Sequence, residues 1–184
     1  MRKIIVEAEV SLDGIVNSPE IWPEVFKYHT DDLTDYLNKL LFSSDALLLG
    51  RLTYEVFAEV WPARTGKQAE WINQIPKFVA SRTLREPLRW NSTLIQGDVV
   101  EELRKLKRTG GGKDLVQYGV GELTRTMLNH GLVDELQLLV FPFTFGKGGR
   151  WFDHMDMKHF KLIECKPFES GAILLRYEQV VNNP

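Results

Sequence analysis

The sequence has 184 residues, of which 43% are apolar and 26% charged, as in ordinary globular domains. Its 23 Lys and Arg residues nearly balance 25 Asp and Glu residues and are interspersed with them, which argues against nucleic-acid binding. The one cysteine excludes an intramolecular disulfide, and no signal peptide or membrane-length apolar segment is visible. We therefore expect a single cytoplasmic domain over residues 1–184, with neither a nucleic acid nor a membrane as partner.

The first part of the chain predicts alternating strands and helices. Apolar residues at every second position predict a strand over residues 4–10, with carboxylates on its other face. The spacing of leucines predicts a helix over residues 31–42. A continuous apolar run predicts a buried strand over residues 46–49, and a helix over residues 53–60 ends before Pro62.

The alternation continues through the middle of the chain, and the last third changes to strands alone. The middle predicts strands over 77–80, 93–96 and 115–118 and helices over 99–107 and 121–130. The end predicts strands over 135–145, 160–168 and 172–180, with a tight turn at Ser170 and Gly171. The prediction is a three-layer α/β/α fold with a mostly parallel mixed sheet and a C-terminal antiparallel hairpin, its ligand beyond the carboxyl ends of the strands.

Three segments at predicted strand ends have residues suited to phosphate binding. They comprise Gly50, Arg51 and Thr53; Ser81, Arg82 and Thr83; and Gly119, Val120, Gly121, Glu122 and Leu123. Helix N-termini offer unpaired N–H groups to an anion, glycine lets the backbone approach closely, and arginine suits a 2′-phosphate. Alone, the first segment could equally be a strand end with a surface arginine, and the Ser-Arg-Thr triplet occurs by chance in many loops. Together the three segments favour a phosphorylated dinucleotide. Thr124 interrupts the GxGxxG pattern, which disfavours a classical NAD-binding domain.

Taken in order, these and other segments resemble the dihydrofolate-reductase-like superfamily, and more closely its branch with the C-terminal reductase domain of the riboflavin-biosynthesis protein RibD. The matching segments are residues 11–14 (SLDG), 49–55 (LGRLTYE), 81–83 (SRT), 118–123 (YGVGEL) and 132–136 (LVDEL), which leads to Pro142 and residues 145–149 (FGKGG). The resemblance implies NADPH bound across the three segments above and a substrate pocket beside its nicotinamide. It also favours a homodimer, for which the apolar residues 141–143 are a candidate surface.

The resemblance further implies a carboxylate that orients the substrate ring and assists its protonation. Asp32 at the start of a predicted helix is one candidate, although an N-cap is the ordinary role of an Asp there. Asp13 in the loop after the first strand is the other, with a turn residue as its ordinary role. Glu7 and Glu9 either point into the pocket or face solvent.

Substrate contacts are expected from aromatic and cationic residues. Trp22, Phe26 and Tyr54 are candidates to stack on a planar ring, and residues 17–29 are expected to form a substrate-covering loop. Phe57 is expected in the core. A riboflavin-type substrate needs a phosphate-binding cluster, which Lys147 and Arg150 could provide. No metal is expected, because His154 and His159 are five residues apart and do not share a helix face.

These expectations lead to an NADPH-dependent reductase that transfers hydride to a heterocyclic small molecule, resembling 5-amino-6-(5-phosphoribosylamino)uracil reductase. A pterin or dihydrofolate reductase is the alternative among enzymes, and it would need one well-buried helix carboxylate. The alternative outside enzymes is a non-catalytic NADPH-binding protein or an oligomeric interaction protein that uses the C-terminal strands. NADPH binding without NADPH consumption would favour this non-enzymatic alternative.

Overall fold

A computed structural model describes residues 1–17, 20–109, 112–150, 153 and 155–180. Its strands are β1 (Ile4–Ser11), β2 (Ile15–Asn17), β3 (Ser44–Gly50), β4 (Lys77–Ala80), β5 (Ser92–Leu94), β6 (Asp114–Tyr118), β7 (Glu135–Phe141), β8 (Gly149–Arg150), β9 (His159–Pro167) and β10 (Ile173–Val180). Its α-helices are α1 (Trp22–Phe26), α2 (Asp31–Ser43), α3 (Arg51–Val60), α4 (Lys67–Gln74), α5 (Val99–Arg108) and α6 (Glu122–Asn129), with a 3-10 turn at Trp61–Ala63. Within these ranges, each helix is too short or too polar to cross a membrane.

The main sheet has eight strands in the order β5-β4-β3-β6-β1-β7-β10-β9. The strands from β5 to β7 pair in parallel, whereas β10 runs antiparallel to both β7 and β9. Helices α5 and α6 pack on one face of the sheet, and α2, α3 and α4 pack on the other. These observations confirm the predicted three-layer arrangement and its C-terminal antiparallel hairpin.

The alternation along β1 decides which helices meet its carboxylates. Val6 and Ala8 pack in the cluster that contains α5 and α6, whereas Ile5 packs in the cluster that contains α2 and α3. Because residues two apart in a strand share a face, Glu7 and Glu9 lie on the side of Ile5. The carboxylates of β1 therefore face α2 and α3 and do not point to solvent.

One predicted strand is several residues shorter than expected, and two helices were not predicted. The strand predicted over residues 135–145 ends at Phe141, because Pro142 has no N–H to donate to a neighbouring strand. The segment expected as a loop over residues 17–29 contains α1, which tolerates Pro23 in its first turn. Helix α4 was not predicted, since its inward face carries only a short apolar signal from two buried side chains, Ala69 and Ile72.

Candidate functional site

The three predicted phosphate-binding segments meet at one edge of the sheet. Their strands β4, β3 and β6 are parallel neighbours, so their carboxyl ends lie side by side. A Cβ placed on Gly119 would stand 3.5 Å from Thr53 Oγ1, and the Arg82 guanidinium lies 4.0 Å from the Glu122 carboxylate. We call this edge, from Gly50 to Glu122, the phosphate rim. The convergence expected from the sequence is present, while binding of a dinucleotide there remains a prediction.

The geometry of the phosphate rim suits an anion. Gly50 and Gly121 are the N-caps of α3 and α6, and a Cβ placed on either would meet no atom within 4 Å. Gly119 has a φ of +77°, a conformation that favours glycine. Two helix N-termini thus open onto free space, where their unpaired N–H groups and positive dipole ends favour a phosphate.

The other residues expected at the phosphate rim divide into exposed and buried ones. The Arg51 guanidinium lies 2.9 Å from the Glu55 carboxylate one turn further along α3, and Arg82 is exposed. The Ser81 hydroxyl accepts hydrogen bonds from the N–H groups of Thr83 and Leu84 and so shapes this turn. Val120 and Leu123 are buried in the core. Their side chains are therefore part of the core packing, and these two residues can offer a cofactor only their backbone, as expected for amides at a helix start.

A cavity of about 460 Å³ opens beside the phosphate rim. Thr53 and Gly119 belong to its wall as well as to the phosphate rim, and β1 contributes Glu7 and Glu9. Helices α2, α3 and α4 and the 3-10 turn line the remainder, together with α1 and β2. The five aromatic side chains of the wall are Trp22, Phe26, Phe57, Trp61 and Tyr118. An aromatic wall of this kind suits a planar ring.

The aromatic expectations are met only in part. Trp22 and Phe26 line the cavity, as expected. Phe57, expected in the core, also lines it and packs edge-on against Trp61 with ring centroids 6.1 Å apart. Tyr54 does not line it, because its side chain is buried and its hydroxyl accepts a hydrogen bond of 3.1 Å from the Arg89 N–H. Tyr54 therefore tethers a loop, and its assignment to the substrate is wrong.

The two residues expected to bind a substrate phosphate lie away from the cavity wall. The Lys147 ammonium pairs with the Glu20 carboxylate at 2.5 Å, and Arg150 lies in β8, opposite Ile15 of β2. The cation that does line the cavity is Arg64, whose guanidinium carbon lies 4.9 Å from the centroid of the Trp61 ring. Arg64 follows the 3-10 turn, so no periodic pattern in the sequence points to it.

The carboxylates selected from the sequence have structural roles. The Asp13 carboxylate accepts hydrogen bonds from the Ser11 hydroxyl and from the N–H groups of Phe145 and Gly146, which lower its pKa to about 2. Asp32 accepts hydrogen bonds from the Thr30 hydroxyl and, at 3.1 Å, from a distant backbone N–H in the turn between β9 and β10. Neither residue lines the cavity, so the catalytic assignment of Asp13 and Asp32 is not supported by their positions.

Glu7 and Glu9 are the carboxylates that the cavity contains. Burial, together with the charge of Glu9, raises the pKa of Glu7 well above its ordinary value. Glu7 Oε1 has no hydrogen-bond partner within the described ranges. Glu9 Oε1 lies 3.2 Å from Nε2 of His29, a wall residue that sequence reasoning missed because no periodic pattern surrounds it. In the described part of the chain no three potential ligands cluster as a metal site, and His154 lies outside that part.

Comparisons with known proteins agree with this architecture. The model of the RibD C-terminal domain matches residues 2–174. The uncharacterized protein YyaP of Bacillus subtilis (strain 168) is 30% identical over 189 residues, which cover 96% of this chain and 94% of YyaP. A solved structure from Shewanella sp. PV-4, of a protein named for riboflavin biosynthesis, has a TM-score of 0.77 at 20% sequence identity. The match covers 97% of this chain and 99% of that protein.

A bifunctional relative matches over part of its length. The diaminohydroxyphosphoribosylaminopyrimidine deaminase/5-amino-6-(5-phosphoribosylamino)uracil reductase of Thermotoga maritima has a TM-score of 0.66 at 16% identity. The match covers 97% of this chain and 57% of that protein. The structural likenesses confirm the dihydrofolate-reductase-like fold, and the family model covers nearly the whole sequence. The chain belongs to the RibD C-terminal domain family.

Proposed function

We propose that the protein is an NADPH-dependent reductase that reduces a planar heterocycle held in the aromatic cavity. The observation that carries this proposal is that Thr53 and Gly119 belong both to the phosphate rim and to the cavity wall. A group bound along the phosphate rim is therefore next to a ligand in the cavity. Membership of the RibD C-terminal domain family, and the reductase name of the Thermotoga relative, support redox chemistry at this junction.

The chain's own residues would hold the cofactor and align the substrate. The helix N-termini at Gly50 and Gly121 suit its pyrophosphate, and Arg82 with Ser81 suits its 2′-phosphate. Bound NADPH supplies the hydride. The aromatic walls hold the ring in one orientation and reduce its contact with water, which favours the reacting geometry.

Two substrate classes follow from the polar residues of the cavity. A ribosylaminopyrimidine phosphate is the first, because the family includes the RibD reductase domain and Arg64 can meet a phosphate. A pterin is the second, because Glu7 and Glu9 can accept hydrogen bonds from ring N–H groups. In the second case the carboxylates come from β1, whereas the sequence directed attention to Asp32 on α2.

Arg82→Ala is expected to weaken NADPH binding by roughly 10- to 100-fold and to leave NADH binding nearly unchanged. The reason is that a charge-assisted hydrogen bond contributes about 1.5–3 kcal/mol, and only NADPH carries the 2′-phosphate. Thermal shifts with each dinucleotide measure the effect. Arg104→Ala, which removes an exposed arginine of α5, is the control and should leave both affinities unchanged. Equal binding of both cofactors by the native protein would contradict this assignment.

Turnover separates the reductase from a protein that only binds the cofactor. NADPH oxidation is measured with an aminopyrimidine ribosyl phosphate, a dihydropterin and simple carbonyl compounds. We expect consumption with a heterocycle and none with the simple carbonyls. Stoichiometric NADPH binding without consumption of any member of this panel would instead favour the non-catalytic alternative.

We infer a homodimer, but through a surface other than residues 141–143. Phe141 is fully buried, and Phe143 is partly buried and packs against the same core cluster. Exposed apolar side chains instead lie on the last two strands, at Leu162, Ile163, Ile173 and Val180. Sedimentation is expected to give a dimer that Leu162→Asp converts to a monomer. A native monomer would contradict the inference.

A further inference from the structure

Glu7 is a buried acid that the hydrogen bonds of the fold do not explain. Its side chain is 3% exposed, it belongs to the cavity wall, and Oε1 makes no hydrogen bond with any residue in the described ranges. Burying an ionised carboxylate without a partner costs much free energy of desolvation, and burying the protonated acid costs less. Because this carboxyl group is costly to bury and lies beside a ligand cavity, it is a candidate for a role in the chemistry of that cavity.

Gln137, one neighbour of Glu7 in the sheet, is engaged elsewhere. Strand pairing places Glu7 between Tyr118 of β6 and Gln137 of β7. The Gln137 Oε1 accepts a hydrogen bond of 2.6 Å from the Tyr36 hydroxyl, and its Nε2 donates one of 3.2 Å to Glu135. Gln137 therefore does not satisfy Oε1, and Glu7 keeps this unpaired carboxyl group at the cavity wall.

Several titratable groups surround Glu7 and act on its proton. Glu9 lies two residues further along β1, and its charge adds to burial in raising the pKa of Glu7, which favours the protonated form. Tyr118 and Tyr36 face it from β6 and α2, and burial raises the pKa of both phenols, so they stay neutral near pH 7. His29 pairs with Glu9 across the cavity wall, which also includes Arg64. Near Glu7 the wall thus contains a carboxyl group whose protonated form is favoured, beside the Glu9–His29 pair.

We propose that Glu7 is the catalytic acid of the reductase and donates its carboxyl proton to the nitrogen or oxygen of the substrate's C=N or C=O bond. This inference rests on the proposed function. The carbon of that bond gains the hydride, which carries both electrons, and the heteroatom gains the proton from Glu7. The product is an amine or an alcohol, the dinucleotide is left oxidised as NADP⁺, and Glu7 is left as a carboxylate. Solvent that reaches the open cavity returns the proton before the next turnover.

Glu7→Gln tests the proposal because glutamine keeps the size of the side chain but cannot supply this proton. We expect kcat to fall by roughly 10²- to 10⁴-fold, the range for loss of general acid catalysis, with NADPH affinity unchanged. The native activity should decline as pH rises and Glu7 loses its proton, and the variant should lack this decline. Glu101→Gln, which removes an exposed carboxylate of α5 away from the cavity, is the matched control and should leave kcat and its pH dependence unchanged. Glu9→Gln should move the decline to lower pH, because the negative charge beside Glu7 is gone.

Infrared spectroscopy gives a readout that does not depend on turnover. The native protein near pH 7 should show the C=O stretch of a protonated, buried carboxylic acid, and Glu7→Gln should lack this band. In the native protein the band should disappear over the same pH range as the activity, a comparison that needs no variant. Three results would overturn the role of Glu7 without contradicting the proposed reductase function. They are a missing band, a band that disappears over a different pH range from the activity, and a native kcat in Glu7→Gln. Absence of turnover in the native protein, with the band present, would instead overturn the proposed function.

Discussion

Gly121→Asp is expected to weaken NADPH binding by roughly 100-fold without destabilising the fold. The new carboxylate would stand at the N-terminus of α6, where the pyrophosphate is proposed to bind. Two unit charges about 5 Å apart repel by about 3 kcal/mol at an effective dielectric constant of 20, which corresponds to roughly two powers of ten in affinity. The position tolerates a side chain, because its φ of −172° is extended and no atom lies within 4 Å of an added Cβ.

The same substitution should raise the free energy of unfolding by a few tenths of a kcal/mol. Aspartate is a better N-cap than glycine, and its charge interacts favourably with the helix dipole. Gly121→Asn is the matched control, since asparagine caps the helix equally well and has nearly the same size but carries no charge. Calorimetric titration with NADPH and thermal unfolding of both variants measure the two effects.

Comparing the two variants distinguishes the effect of the added charge on NADPH affinity from the effect of the added side-chain volume. Weak binding in the Asp variant alone supports an anion at this helix terminus. If both variants lose affinity equally, the added side chain obstructs the site and the loss says nothing about charge. Native affinity in Gly121→Asp would remove Gly121 from the proposed cofactor site.

The phosphate rim could be predicted from sequence because its position follows from the order of elements. Parallel strands bring their carboxyl ends to one edge, so glycines and arginines directly after β3, β4 and β6 converge whatever the loops do. At Val120 and Leu123 the start of a helix can offer its backbone to a ligand while the apolar side chains turn to the core. Main-chain positions were thus more predictable than side-chain directions.

The substrate cavity could not be predicted to the same extent because its walls depend on distant contacts. Asp13 and Asp32 look like free carboxylates in the sequence, but their partners are the backbone at residues 145–146 and at Glu169. Tyr54 is tied to Arg89 in the same manner. Period-two alternation did mark the face of Glu7, yet β1 is covered on both sides, so alternation alone does not say which side contains the cavity.

Glu135→Gln is expected to lower the free energy of unfolding by about 2–3 kcal/mol at pH 7. This loss is somewhat smaller than that for breaking a fully buried ion pair, because the partners of Glu135 are partly exposed. The buried Glu135 carboxylate accepts hydrogen bonds of 2.8 Å from both the Lys3 ammonium and the Arg176 guanidinium. It thereby joins β7 to β10 and to the residue that precedes β1. Glutamine keeps the size but removes the counter-charge that Lys3 and Arg176 share, so that Arg176 retains only its more exposed partner Glu164. Urea unfolding of the native protein and the variant measures the difference.

Glu164→Gln is the matched control for this buried ion pair. Glu164 pairs with the same Arg176 but its side chain is 38% exposed, so its loss should cost less than about 1 kcal/mol. Burial opposes the charge of Glu135, but the bonds from Lys3 and Arg176 outweigh it and hold the pKa of Glu135 below its ordinary value. Its stabilising contribution is therefore present above the unfolded-state pKa and is lost as the pH falls through the lower folded-state pKa. The difference between native protein and Glu135→Gln should accordingly shrink in acid, and equal losses in the Glu135 and Glu164 variants at pH 7 would show that burial does not set the strength of this pair.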